Sequence, residues 1–360
     1  MSHYTKEGEI LWPTEAGAID LRTSLPVGTY AAGTSLRGFY LKELPDFHID
    51  HKVYGNPGKH AERILTTFKS RPNSTGVLMS GEKGSGKTML AKMVSEMGAK
   101  EGIATIVINT PMTGEGFNQF IQSIDEPKIV IFDEFEKVFN EEDQQKLLTL
   151  LDGVYPSKTL FLLTTNDRYR INAHMQNRPG RIFYMIEFTG VDAAFITDYC
   201  NDVLIAKEHI PTICRLALLF NAFNFDMLKA LVEEMNRYGE TPHQALEMLN
   251  AKPAWNERME HEIKIIKPDG KEVESGEFWP DTHPMNPITS ACINITENVL
   301  TGKKDEDGED EYDEVEYNLR PTDLKKVDPE QGTYTYVTST GTTFIFTKTK
   351  AKVHNFLDYL

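Results

Sequence analysis

Between residues 46 and 190, short apolar runs alternate with longer amphipathic stretches. The runs are Gly76–Ser80, Thr105–Asn109, Lys128–Asp133, Thr159–Thr164 and Phe183–Phe188. Each is rich in β-branched or aromatic residues and short enough for a strand buried on both faces. The pattern therefore predicts an α/β unit built on a parallel sheet. The period then changes. Asp192–Lys207 and Phe225–Tyr238 carry apolar residues at helical spacing, and Thr241–Leu249 has Pro242 near a helix start, so 191–252 predicts a small helical subdomain. Residues 253–360 read as β-rich. Glu262–Lys267 and Lys271–Val273 flank a Pro-Asp-Gly turn, and Gly332–Lys348 alternates Thr with Tyr or Phe around Ser339–Gly341, which predicts two hairpins. Residues 1–45 show no clear period and many turn formers, among them Pro13, Gly17, Pro26, Gly28 and Gly33, and read as an irregular or partly stranded N-terminal region.

Composition narrows the classes. A chain of 360 residues with 40% hydrophobic content can bury a real core in two or three units. The formal net charge of −16 argues against a broadly basic surface, and so against general affinity for nucleic acid or an anionic membrane. Nine of the acidic residues lie between Asp305 and Glu316, and residues 303–316 read as a solvated acidic loop. Cys200, Cys214 and Cys292 have no metal or redox spacing and read as reduced thiols. The ten histidines form no H-x-x-x-H or comparable metal set. The opening MSHYTKEGEI lacks the apolar stretch of a signal peptide, and no run approaches the roughly 20 residues of a membrane helix. The expectation is a soluble, cytoplasmic protein.

The chemistry enters with two motifs. After the apolar run Gly76–Ser80 comes Gly81-Glu-Lys-Gly84-Ser85-Gly86-Lys87-Thr88, then a helical stretch opening at Met89. This is G-x-x-x-x-G-K-T in the strand–loop–helix context that gives the motif meaning. Gly81, Gly84 and Gly86 let successive backbone N–H groups face one anion, and the helix beginning near Lys87 adds its positive end. Lys87 brings a point charge to the β and γ phosphates of ATP, and the Thr88 hydroxyl is placed to ligate Mg²⁺. The second motif is the apolar strand ending in Asp133 and Glu134. Such acids fall at the carboxyl edge of the sheet, where ligands of open α/β sheets bind. Asp133 is expected in the Mg²⁺ shell, and Glu134 is expected to orient and activate the attacking water.

Three further segments carry a resemblance. Leu147-Leu-Thr-Leu-Leu-Asp-Gly-Val154, Leu160-Phe-Leu-Leu-Thr-Thr-Asn166-Asp and Asn177-Arg178-Pro-Gly-Arg181 follow in order. With the two motifs, they make residues 46–250 resemble the AAA branch of the AAA+ ATPases. The resemblance implies that Asn166 is the first sensor, contacting the γ-phosphate or the water. It implies that Arg178 and Arg181 reach into a neighbouring subunit's nucleotide, although either arginine alone could also form a local salt bridge. A homo-oligomeric ring follows, a hexamer in most of the family and a heptamer in one sub-branch. Asn109 would match an asparagine that holds the catalytic glutamate inactive, or would simply cap a strand end. Val53 and Tyr54 would line the adenine pocket.

The narrower resemblance is to the Bcs-type AAA proteins, which include the mitochondrial translocase of the folded Rieske protein and have soluble relatives in bacteria and their viruses. It rests on the short Asn109–Asp133 stretch, the spacing from Leu151-Asp-Gly-Val154 to Asn166, and Thr241-Pro-His-Gln-Ala-Leu. Two departures bear on function. The stretch Pro111–Phe117 lacks the aromatic–hydrophobic–glycine grip of threading machines, with Phe117 reading as core and Met112 or Phe117 as the substitutes available. Phe223-Asn-Phe-Asp-Met227 stands where the family carries Gly-Ala in its second sensor region. The function expected is an ATP-hydrolysing ring that remodels or translocates an unidentified protein substrate, with a nucleotide-gated scaffold as the alternative. A nucleic-acid motor fits the charge least.

Overall fold

The computed structural model describes residues 3–7, 10–14, 22–152, 158–176, 178–218, 220, 223–250, 261–273, 278–280, 292–304 and 310–348. Gly153, Val154, Asn177 and the acidic residues 305–309 of the sequence motifs lie outside this set. The chain divides into two compact units, Met1–Ser80 with Lys87–Glu187, and Gly81–Gly86 with Phe188–Leu360.

In the first unit, β1 (His3–Glu7) and β2 (Ile10–Thr14) pair antiparallel. Then follow β3 (Thr29–Ser35), β4 (Gly38–Leu44), α1 (Pro57–Ser70), β5 (Thr75–Gly81), α2 (Lys87–Lys100) and β6 (Ala104–Ile108). After these come α3 (Glu115–Gln122), β7 (Lys128–Phe132), α4 (Phe135–Val138), α5 (Glu141–Leu151), β8 (Thr159–Thr165) and β9 (Tyr184–Phe188). The seven-stranded sheet has the order β4-β3-β6-β7-β8-β5-β9. The pairs β6–β7, β7–β8 and β5–β8 are parallel, as the apolar runs predict, and β3 adds a further parallel pair with β6. The strand after β5 in sequence is β6, which lies beyond β8 and β7. The chain therefore switches direction across the sheet at β5, and the carboxyl ends of β5 and β8 border the crevice where such sheets take ligands. Strands β5, β7 and β8 are buried along nearly their whole length, and Leu78, Val130, Phe132, Phe161 and Leu163 belong to the main apolar core.

Residues 29–44 take the stranded alternative of the N-terminal reading, but join the main sheet, a place the sequence did not indicate. They form the antiparallel β3–β4 hairpin and extend the sheet, β3 pairing parallel with β6. The sequence hides this because β3 is built of small residues, Thr-Tyr-Ala-Ala-Gly-Thr-Ser, and its cover comes from its partner. Tyr40 is the cross-strand partner of Gly33, and its ring occupies the space a Cβ there would fill. Phe39 packs its ring against Phe117 and Phe120 of α3, with centroids 5.7 and 5.4 Å apart.

The second unit begins with α6 (Ala193–Val203), α7 (Ile210–Ala217), α8 (Phe225–Tyr238) and α9 (Pro242–Met248). Side chains cap three of these helices at their starts: Asp192, Asn224 and, in a full capping box with Gln244, Thr241. The strands follow: β10 (His261–Ile266), β11 (Glu272–Val273), β12 (Phe278–Pro280), β13 (Ile293–Lys304), β14 (Asp310–Leu319), β15 (Leu324–Asp328), β16 (Thr333–Val337) and β17 (Thr343–Lys348). They form a five-stranded sheet, β11-β10-β17-β16-β15, and a three-stranded one, β12-β13-β14. Both predicted hairpins are present as β10–β11 and β16–β17. Ile265, Tyr334, Tyr336 and Phe344 of the larger sheet share a buried cluster with Ile295 and Leu319 of the smaller.

The acidic loop expected over 303–316 is a correction. Lys303 and Lys304 end β13, and residues 310–316 lie in β14, paired in register from Leu300↔Tyr312 to Thr296↔Glu316. Tyr312, Val315 and Tyr317 interrupt the charges often enough to suit a strand. Their acidic neighbours are tolerated because β14 is an edge, with Asp313, Glu314 and Glu316 exposed.

Candidate functional site

At the carboxyl ends of β7 and β8 and the start of α2, five side chains of the first unit meet. Lys87 Nζ donates to Asn166 Oδ1 at 3.0 Å. Thr88 Oγ1 and Thr164 Oγ1 both donate to Asp133 Oδ1, at 3.1 and 2.7 Å. Thr164 Oγ1 also accepts the Glu134 N–H at 2.9 Å, so one hydroxyl fixes both acids of the second motif to β8. Parallel register explains the meeting. Phe132 pairs with Leu163, which brings Asp133 level with Thr164 at the sheet edge.

Glu134 is the non-glycine residue with positive φ among the described residues, at φ 50° and ψ 47°. This left-handed conformation costs a residue with a Cβ about 1 kcal/mol and is held here by the Thr164 bond and by α4 starting one residue later. Its carboxylate pairs with Lys137 Nζ at 2.5 Å, and both side chains are nearly half exposed. An ion pair so open to water is screened by it and releases easily. Asn109 lies exposed beyond the end of β6, while the carboxylate that the resemblance would have it hold is paired with Lys137.

Lys87 is buried at the head of α2. Desolvation pushes its ammonium pKa down. The charges of Glu136, Asp133 and Glu134 oppose this in that order, and Lys137 adds to the lowering. The balance leaves a buried cation short of negative charge. Glu136 was not singled out by the sequence reading. It is buried, its Oε1 accepts the Asn166 N–H at 3.0 Å, and its Oε2 has no hydrogen-bond partner among the described residues.

The glycine-rich loop is described with its own unit. Gly81, Gly84 and Gly86 have φ of 142°, 77° and 102°, values that side chains with a Cβ rarely adopt. A Cβ at Gly81 would collide with the Phe188 carbonyl and one at Gly84 with the Asp226 carboxylate, so two of the three glycines are required twice over. Ser85 is half-buried. The region lacking Gly-Ala has its own use. Asn224 Oδ1 caps α8 by accepting the Met227 N–H at 2.9 Å, and its Nδ2 donates to the Lys83 carbonyl at 3.1 Å, tying loop to helix. Sequence reasoning had only the absence of the usual residues at this place, not the contact that replaces them.

The two motif arginines separate. Arg181 is only 8% exposed. Its guanidinium forks onto both oxygens of Asp152, with Nη2–Oδ2 at 2.6 Å, and Nη1 donates to the His174 carbonyl at 2.6 Å. The Arg181 bond holds the Asp152 carboxyl below its usual range. The Leu-Asp-Gly and Arg-Pro-Gly-Arg segments, read apart in sequence, thus join through one bidentate pair, so Arg181 is engaged within its own chain. Arg178 is exposed, its backbone carbonyl accepting from the Arg181 and Ile182 N–H groups. Val53 and Tyr54 are half-buried ahead of α1, with Lys52 Nζ 4.7 Å from the Tyr54 ring centroid, and Met89 is half-buried in the first turn of α2. Met112 and Phe117 both belong to the apolar core.

Thr88 Oγ1 and the Asp133 carboxylate are hard oxygen donors placed side by side, a set suited to Mg²⁺, which takes one or two protein ligands and completes its shell with phosphate oxygens and water. Among the described residues no group of three or more His, Cys, Asp or Glu forms a metal cluster of its own, and no helix is long and apolar enough to cross a membrane.

Residues 77–189 match the profile of the family described as "ATPase family associated with various cellular activities (AAA)". The human protein named ATPase family gene 2 protein homolog A is 31% identical over 181 residues, covering 43% of this chain and 20% of that protein. The chain thus spans about a fifth of the length of this relative. The matched residues lie on the α/β fold described above.

Proposed function

We propose that this chain is a Mg²⁺-dependent ATPase that works as a homo-oligomeric ring and remodels a protein partner. The observation that carries the proposal is the convergence of Lys87, Thr88, Asp133, Thr164 and Asn166 where β7, β8 and α2 meet. Lys87 exchanges its bond to Asn166 for the β and γ phosphate oxygens, which relieves its shortage of negative charge. The backbone N–H groups of Gly81–Gly86, contiguous with it in the chain, take the remaining phosphate oxygens. Thr88 and Asp133 would hold Mg²⁺, which would supply positive charge to the phosphate oxygens. Glu134, released from Lys137, accepts the proton of the attacking water, and the Asn166 amide orients that water without carrying charge into the site.

Arg178 is the residue available to a neighbouring subunit's nucleotide, and Arg181 fixes the segment that carries it through Asp152. An arginine supplied in trans is worth about 10³–10⁵ in turnover. Val53 and Tyr54 are assigned to the adenine side, and Asn109 to a partner-responsive hold on Glu134. A hexamer, or the heptamer of Bcs-type proteins, would complete such sites. The burial of Met112 and Phe117 removes both candidates for an aromatic pore grip. It favours action on a folded partner, or a nucleotide-gated scaffold, over threading.

The test is a mixing experiment. Arg178→Ala and Glu134→Gln are each expected to bind MgATP and turn over little. Mixed, they regain activity, because the intact arginine of one subunit serves the intact glutamate of the next. No recovery at any mixing ratio would sink the shared site.

A further inference from the structure

We infer that Glu136 is a positioning residue of the phosphate site, one that sets Asn166 and Lys87 for a γ-phosphate; the inference rests on the nucleotide reading above. Glu136 follows Glu134 by one α4 residue and is 5% exposed. Its Oε1 holds the backbone N–H of Asn166 at 3.0 Å, and the Asn166 side chain in turn accepts from Lys87 at 3.0 Å. One carboxylate therefore anchors the main chain of the residue whose side chain meets the lysine.

The unpaired oxygen is the telling feature. Glu136 Oε2 is buried without a hydrogen-bond partner among the described residues. A bond to the Asn166 N–H alone would be served as well by a glutamine carbonyl, without burying an acid at a loss. The negative charge is thus the part of Glu136 that packing does not explain, and the cation linked to it through Asn166 is Lys87. When a triphosphate enters, its terminal phosphate competes for Lys87 Nζ and for the Asn166 amide. An anchored Asn166 stays at the end of β8 to meet it, whereas a diphosphate reaches Lys87 only through its β phosphate and makes no demand on the Asn166 amide. Glu136 therefore serves discrimination between nucleoside tri- and diphosphates, not affinity for nucleotide in general.

The experiment compares Glu136→Gln and Glu136→Ala in the full chain, measuring ADP affinity, affinity for a non-hydrolysable ATP analogue, and kcat. Glu136→Gln is expected to keep ADP affinity within about threefold while kcat and the analogue-to-ADP affinity ratio each fall about tenfold, the size of one lost charge-assisted contact. Glu136→Ala is expected to go further and to speed amide hydrogen exchange at Asn166, which Glu136→Gln leaves slow. Wild-type kcat and affinity ratio in Glu136→Gln would reduce Glu136 to a hydrogen-bond acceptor and overturn the inference. Equal losses for both nucleotides would overturn it too. If Glu136→Ala does not fold, Glu136→Gln alone decides. Failure of the underlying reading is separate: it appears in the wild-type chain, as binding of neither nucleotide.

Discussion

Two lysines, one buried and one half-buried, organise two parts of this molecule in opposite ways. Lys267, just past β10, donates to Glu297 Oε2 at 2.5 Å and Tyr317 Oη at 2.6 Å, and the tyrosine hydroxyl closes the triangle onto Glu297 at 2.9 Å. Burial pushes the Lys267 ammonium down, but its bonds to Glu297 and Tyr317 outweigh this, and its pKa is raised. At Lys87, which is buried more completely, desolvation wins over three nearby carboxylates, and the pKa is lowered. A cation whose protein partners overcompensate it is a staple, here joining the two sheets of the second unit. A cation left short by its own protein is held ready for an anion from outside. The sign of the shift separates the two roles where residue type does not.

The sharpest way to break this comparison is to remove each lysine's role in turn. Lys87→Ala is expected to weaken MgATP binding by more than about 100-fold, as one or two charge-assisted bonds are lost, yet to leave the unfolding midpoint unchanged or slightly raised. Calorimetric titration and a thermal melt on the same protein read both. Retained affinity would end the assignment of the glycine-rich loop. Glu297→Ala is expected to do the reverse. It strands Lys267 and the Tyr317 hydroxyl and destabilises the fold by about 3 kcal/mol while nucleotide affinity stays at the wild-type level. Denaturant titration measures it, and a loss below about 1 kcal/mol would mean the triangle is solvated and not a staple.

How much of this was legible beforehand follows from the same physics. The strands β5, β7 and β8 and the residues Lys87, Thr88, Asp133 and Glu134 are local: a buried run ends in a motif, and the run fixes where the motif falls. The bonds from Thr164 to Asp133 and from Glu136 to Asn166 depend on strand register, which one sequence does not print. The N-terminal region read only as irregular or partly stranded, and the place of the β3–β4 hairpin in the sheet was hidden because small residues in β3 borrow their cover from Tyr40 and Phe39 on the neighbouring strand. The acidic strand β14 was hidden because its charge looked like solvation, while Tyr312, Val315 and Tyr317 carried the pairing pattern between the charges.

The arginines offer an intermediate case. Arg181→Lys keeps the charge but loses the planar fork that meets both oxygens of Asp152. Its expected cost is about 2 kcal/mol of stability, seen as a lower unfolding midpoint, with basal nucleotide affinity retained. Arg178→Lys sits on an exposed segment and is expected to leave the midpoint unchanged within a degree or two while lowering turnover. If instead Arg181→Lys left stability untouched, the bidentate pair would be dispensable and both arginines would again be candidates for a neighbour's nucleotide.

A third lysine tests whether a shortage of negative charge is enough to make a site. Lys128, the first residue of β7, is fully buried; desolvation lowers its pKa to about 8, only partly offset by Glu126 and Asp125. It stands at the opposite end of β7 from Asp133, away from the ligand edge, and its Nζ donates to the Ile124 carbonyl at 2.7 Å. Its shortage therefore has no opening through which an anion could relieve it, and the consequence falls on stability. Below about 8 both folded and unfolded chains carry the proton, and the folded state bears the full cost of the buried charge. Between about 8 and the ordinary 10.5 the unfolded chain binds more protons than the folded one, so stability contributed by this group rises with pH. Lys128→Met removes the cost at every pH. Its advantage over the wild-type chain in parallel melts is expected to be largest near pH 7 and to shrink as pH is raised through 8 to 9. A difference that stayed flat across that range would show that Lys128 is already compensated, and would weaken the use of a lowered lysine pKa as a mark of an unfilled charge at Lys87.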